Sequence, residues 1–367
     1  MFSHNRMITF PCHAAQRKGE RAYTLRMEQL PEVPKIEIDK AFIDASPPGI
    51  DITIDSSART GGQDPRVIAE SLHRLLQRMG NEQPPLLLQP LRYILVTANL
   101  CEAVNYWNRA LGLPEAGVSS QPEGSVAGKH MSWGNDRESA RSIIILADGV
   151  AVGVATDLSL AITTVIHEFG HVHDDFARGL TIGFPQSARP RNLNDWPGIC
   201  AHLAEITWSE YAAESTAAPY MTREDLQEFM ANDPIHLAGV HKRLRQLIHS
   251  NKLGQLDFPS LWSRAVTDMS DLFANLGRAA ARFPFAENGL QVRACFVDSN
   301  GEAAYWMPVV ERLFDELTAL DDKSYTEWGA EPFSGLVEVV SLGFQAAGFL
   351  PIHNGQDLHV RIRYAPT

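Results

Sequence analysis

Cysteine is scarce in this chain of 367 residues: Cys12, Cys101, Cys200 and Cys295 are all there are, and no two form a CxxC pair. Four scattered thiols do not make a disulfide framework, and buried or half-buried thiols are expected. Excess positive charge is lacking too. Lys and Arg number 32 against 44 Asp and Glu, for a net charge of -12. That balance argues against a general nucleic-acid binder, which presents a basic face. No clear membrane span is present. The nearest candidate, Phe333 to Leu350, is interrupted by Glu338 and Gln345 and suits a buried core helix. The N-terminal residues carry no apolar stretch followed by a cleavage site. A cytoplasmic protein is expected, with no membrane and no nucleic acid among its partners. There are no internal repeats and no low-complexity tract.

What is present begins with period-two runs, Ile36 to Asp39 and Ile50 to Asp55, which predict half-buried strands around the turn Ser46-Pro47-Pro48-Gly49. Asp64-Pro65 opens a helix that Gly80 closes. Leu91 to Val96 reads as a strand and Glu102 to Leu111 as a helix. The segment from Pro114 to Asn135, rich in Gly, Ser and Pro, predicts a loop. Ser142 to Ala147 has strong strand character. After the turn signal Asp148-Gly149, Val150 to Val154 reads as a hairpin partner. Asp157 or Ser159 would cap a helix running to about Phe176. A long helix opens at Asp195-Trp196-Pro197 and runs towards Pro219. Helical patterns follow over Thr222–Ala231, Pro234–His249, Pro259–Arg282, Pro308–Leu320 and Pro332–Leu350, before a terminal strand from Leu358 to Tyr364. The order is that of an α+β protein with a small mixed sheet lobe and a mainly helical C-terminal lobe. The expected domains are a β-containing extension over 1–62, a sheet lobe over 63–180 and a helical lobe over 181–367.

One motif carries chemistry. His167-Glu168-Phe169-Gly170-His171 is an HExxH sequence. On a helix, positions i and i+4 share a face, so both imidazoles can reach one metal ion. Glu168 stands beside the first ligand, where its carboxylate can take a proton from a water that zinc has acidified towards a pKa of about 7. The uncharged run from Leu158 to Ile166 precedes the motif and no proline interrupts it. Gly170 costs helix stability of about 1 kcal/mol, which close packing of another element would explain. His173 lies about 200° around the helix from His171 and should face away.

A catalytic zinc site needs three protein ligands and an open position. Among later carboxylates, Asp174 and Asp175 continue the ligand helix, and Asp195 suits a helix cap. Glu205, Glu210 and Glu214 lie on the next helix. Glu210 shares a face with the small Ala213 and Ala217 and is the expected third ligand. Glu214, one turn on, is its rival, or else a partner that orients a ligand histidine. Tyr211, Tyr220, His236 and His241 are candidate donors to a transition-state oxyanion. Arg189 and Arg191 could meet a substrate carboxylate.

On these residues the chain resembles the zincin metallopeptidases. It departs from the metzincin extension, having Asp174 and Ala177 where that pattern has glycine and histidine. It is similar to the glutamate-zincins, including ImmA/IrrE-type peptidases, in that Glu210 to Ala217 follows their loose E-x-x-A-[D/N]-x-x-A pattern, with Glu214 at the Asp/Asn position. The likeness covers about residues 140–220. It implies a zincin-like fold and a zinc peptidase with a peptide or protein substrate. His167, His171 and Glu210 would bind the metal, and Glu168 would be the base. It also implies an edge strand that binds an extended peptide by strand addition, for which Ser142 to Ala147 is the candidate, unless that run is an ordinary core strand. Two other readings stay open: a zinc-binding regulatory protein without turnover, and a zinc hydrolase of non-peptide amides. Glu168 favours an enzyme, since a purely structural site needs no base.

Overall fold

The computed structural model describes residues 50–82, 85–111, 127–183, 195–285, 296, 305–353 and 358–363. The predicted strand at Ile36–Asp39, together with Arg189 and Arg191, lies outside them. The architecture is mixed α and β, mainly helical, with a small mixed sheet. The described residues divide into two compact units, one over 50–183 with 219–222, the other over 195–218 and 223–363.

The first unit holds a four-stranded sheet ordered β1-β2-β4-β3, formed by β1 (Asp51–Ile54), β2 (Leu91–Thr97), β3 (Gly128–Trp133) and β4 (Arg141–Ala147). β1, β2 and β4 run parallel and β3 is antiparallel to β4. The expected N-terminal extension therefore contributes β1 to this sheet. Helix α1 (Pro65–Asn81) starts as its sequence requires: the Asp64 side chain accepts from the Arg66 N–H, and Pro65 sits where no amide is needed. Helix α2 (Leu100–Ala110) covers one sheet face, packing Leu100, Val104 and Trp107 against Met131, Ile143 and Ile145. Helix α4 (Ser159–Ile182) runs past β3 on the other face.

Four expectations for this unit are corrected. The loop expected over Pro114–Asn135 contains β3. Its residues have weak strand propensity, and the ladder with β4 supplies the stability that local sequence does not. Val150–Val154 is not a hairpin strand but part of helix α3 (Asp148–Ala155), which packs against α1 and α4. Gly153 makes the second contact possible, because a Cβ there would come within 2.5 Å of the Ala161 Cβ. Ser142–Ala147 is not an edge strand. β4 lies between β2 and β3, and its uniformly buried Ser142 to Leu146 reflects cover on both faces. Finally, neither Asp157 nor Ser159 caps α4. Leu158 occupies that position without a side-chain bond, and Asp157 adopts a left-handed φ of 56°.

The second unit is built from α5 (Trp196–Ala217), α6 (Arg223–Lys252), α7 (Phe258–Arg282), α8 (Met307–Asp321) and α9 (Ser334–Ala346), with a two-stranded ribbon of β5 (Phe349–His353) and β6 (Leu358–Ile362). Asp195 caps α5 by accepting from the Gly198 N–H at 2.7 Å. Its core joins Leu203, Trp208, Leu244, Met269, Phe273, Trp306 and Phe344. Two expected helices around Pro234 are one continuous α6. The single amide bond lost at Pro234 is outweighed by burial of Leu226, Leu237, Val240 and Leu244 on either side. The helix expected to reach Leu350 stops at Ala346. Gly348 then reverses the chain at a φ of 94°, and Phe349 begins the ribbon. Among the described residues no single helix is long and apolar enough to cross a membrane; α3 and α4 pass that test only as a pair, and they meet at 115°.

A buried polar network ties three of these helices. Arg282 on α7 reaches Asp233 on α6 at 3.0 Å and Glu214 on α5 at 3.4 Å, and its guanidinium also lies over the Phe229 ring. Burial pushes the Asp233 carboxyl up to about 6, against the opposing pull of Arg282. A carboxyl raised in the folded state contributes stability that is fully present below its unfolded value of about 4 and is lost as pH rises through about 6. The melting temperature of wild type relative to Asp233→Asn is therefore expected to fall between pH 4 and 6 and to level off above. A difference that does not vary with pH would refute this.

Candidate metal centre

The HExxH residues lie on α4. The two uncharged turns of α4 before the motif bury Ala161, Val165 and Ile166, and Phe169 and Val172 are fully buried beyond them. That apolar side fixes the rotation of the helix. His167 and His171 then fall on one side by the 3.6-residue period. Their Nε2 atoms are 3.1 Å apart and the rings stand nearly perpendicular, at 87°. Ligands at zinc–nitrogen distances of 2.0–2.1 Å in a tetrahedron are separated by about 3.3 Å. The pair is thus within a few tenths of an ångström of what a shared zinc ion demands, and the donor set fits that metal. Glu168, between them in sequence, is 6% exposed.

β3 contributes groups that the sequence reading missed. Its alternate residues Gly128, His130 and Ser132 face α4. The His130 ring is parallel to that of His171, within 9°, at 6.0 Å between centroids. Its Nδ1 is 3.7 Å from Asp175. Burial holds the His130 imidazole down to about 4, outweighing Asp175, so the ring is neutral near pH 7. Ser132 donates to Asp175 at 2.7 Å, and Arg178 pairs with both Asp174, at 2.8 Å, and Asp175. Asp174 and Asp175 are thereby used as anchors on the ligand helix. Period-two spacing of Gly128, His130 and Ser132 was the available signal, but it lay inside a stretch with loop composition.

No family model matches this chain, and neither does any curated protein or solved structure.

His173 does face away from the pair. Its Nδ1 accepts the Leu87 N–H at 2.9 Å, which ties the segment before β2 to α4, and burial lowers its pKa. Of the expected oxyanion donors, Tyr220 in this unit donates to Glu82 while Arg78 covers its ring. The remainder lie in the helical unit. Tyr211 donates to Asp321 at 3.1 Å, and burial raises its pKa. His236 pairs with Asp271 at 3.2 Å, and His241 accepts from the Trp306 indole at 3.2 Å. Each has a local structural partner.

In the helical unit, α5 carries the three candidate glutamates. Glu214 is 5% exposed and belongs to the buried Arg282 network. The Glu210 side chain is 21% exposed, with Arg278 at 2.9 Å. Ala213 and Ala217 are buried beside them. Cys200, on the same helix, is a buried thiol pushed up to about 12, as an inert core cysteine should be.

Proposed function

We propose that this chain is a cytoplasmic zinc metallopeptidase of zincin-like fold. The observation that supports the reading best is the convergence of the His167 and His171 Nε2 atoms to 3.1 Å beside a buried glutamate. A site that served structure alone would have no use for Glu168. Bound zinc would supply Lewis acidity and an acidified water. Glu168 would accept the proton of the attacking water and pass it to the departing nitrogen. The edge strand β3, which has no strand beyond it among the described residues, would align an extended peptide. This role passes to β3 from Ser142–Ala147, which is an internal strand.

The third ligand in this reading is Glu210. Its rival Glu214 is committed to a buried ion pair with Arg282, and breaking such a pair costs about 3–5 kcal/mol. Zinc titration separates the two. Wild type is expected to bind one zinc ion per chain, and His167→Ala, His171→Ala and Glu210→Ala to lose most of that affinity. Glu205→Ala should retain it, and Glu214→Ala should melt earlier while still binding zinc. Absence of transition metal after purification in zinc would sink the reading. Full affinity in Glu210→Ala with loss in Glu214→Ala would reassign the ligand. Zinc bound without any peptide hydrolysis would favour a regulatory protein.

A further inference from the structure

β3 and α4 meet in a close register. Gly128 lies against Glu168, His130 against His171, and Ser132 against Asp175. Two residues of strand advance about 6.7 Å, and three to four residues of helix about 5–6 Å, so a strand face can follow a helix stripe pair by pair over this length. The first contact leaves no room for a side chain. A Cβ at Gly128 would lie 2.9 Å from both Cγ and Oε1 of Glu168 and 3.1 Å from Cδ. The conflict involves the glutamate side chain, not backbone, so it would be relieved by moving the carboxylate. The second contact is held from behind. His130 is buried, Asp175 lies beside its Nδ1, and Asp175 is itself fixed by Ser132 and Arg178. The His130 Nε2 has no hydrogen-bond partner among the described residues, and on that side its ring lies parallel to the His171 ring, 6.0 Å between centroids.

We propose that the inner face of β3 is a template for the metal-site helix, in which Gly128 is a positioning residue for the Glu168 carboxylate and His130 is a positioning residue for the His171 ring. The inference rests on the zinc peptidase reading and divides its two functions. Proton transfer would depend on Gly128 and metal affinity on His130. A base displaced by about 1 Å costs on the order of 100-fold in rate. Loss of a group that orients a metal ligand costs about 10–100-fold in affinity.

The test uses the full chain, zinc titration and a quenched-fluorescence peptide mixture. Gly128→Ala is expected to lower kcat by about 10–100-fold with zinc affinity within about threefold of wild type. It should lower the melting temperature when Glu168 is present and not in a Glu168→Ala background, where the space is vacated. His130→Ala should weaken zinc by about 10–100-fold, with His130→Phe, which keeps a flat ring against His171, recovering most of the loss. If wild type binds zinc and hydrolyses peptide, but both single variants match it, the template is refuted while the peptidase reading stands. Equal melting effects of Gly128→Ala with and without Glu168 would also refute it. A wild type that takes up no zinc overturns the reading and this inference together.

Discussion

Replacing Glu168 by Gln is expected to lower peptide hydrolysis by about 10²–10⁴-fold while zinc content and melting temperature stay near those of wild type. The amide has the shape of the carboxylate and cannot accept the water proton. Glu168 is 6% exposed, so its replacement must fill the same space, and Gln does so where Ala would not. The site's other members are untouched: the His167–His171 spacing comes from the helix, and His130 packs on His171 from β3. Zinc affinity measured beside turnover makes the result specific. Unchanged turnover in this variant would remove Glu168 from the role of base, and loss of zinc would make it a ligand instead.

A second large effect is expected far from that chemistry. Gly277→Ala should destabilise the helical unit by about 3 kcal/mol or more, or prevent its folding. α5 and α7 cross at this glycine, where a Cβ would lie 2.4 Å from the Thr207 carbonyl oxygen and 3.4 Å from the Tyr211 nitrogen. Both are backbone atoms within a helix, and neither can rotate aside. The helices would have to separate, loosening Leu203, Trp208, Leu272 and Leu276 in the core between them. Intrinsic helix propensity pulls the other way, since Ala is favoured over Gly by about 1 kcal/mol. Gly80 serves as the control: it lies in a helix with nothing within 4 Å of its would-be Cβ, and Gly80→Ala should be neutral or stabilising. Chemical denaturation of the two variants decides the matter, and equal stabilities would show that the helices yield.

Much of the candidate site was legible because its geometry is local. His167, Glu168 and His171 need only a helix to be brought together, and the apolar run before them supplies one. That His173 turns away also follows from helical rotation, and Leu87 is where it goes. His130 could not be found this way. It lies 37 residues before His167, in a strand whose own sequence is weakly β-forming, and only pairing with β4 brings its ring beside His171. Likewise nothing in the spacing of Glu210 and Glu214 distinguishes them. Each pairs with an arginine of α7, Glu214 with the buried Arg282 and Glu210 with the more exposed Arg278, and neither pairing is written in the sequence of α5.

Local sequence is enough to start α1 and α5, because in each an aspartate cap, with proline in the first turn, satisfies an early amide without outside help. It also determined the face shared by the two motif histidines, because the helical period is intrinsic to the backbone. Features that depend on distant neighbours follow from packing instead. Ser142–Ala147 reads as apolar in either position, and only strand order makes it central and gives the edge to Gly128–Trp133. Val150–Val154 is β-branched and short, and it became a helix because Gly153 lets it lie against Ala161. Pro234 is a breaker by local rules, yet α6 continues through it because buried contacts on both sides exceed the cost of one missing amide bond.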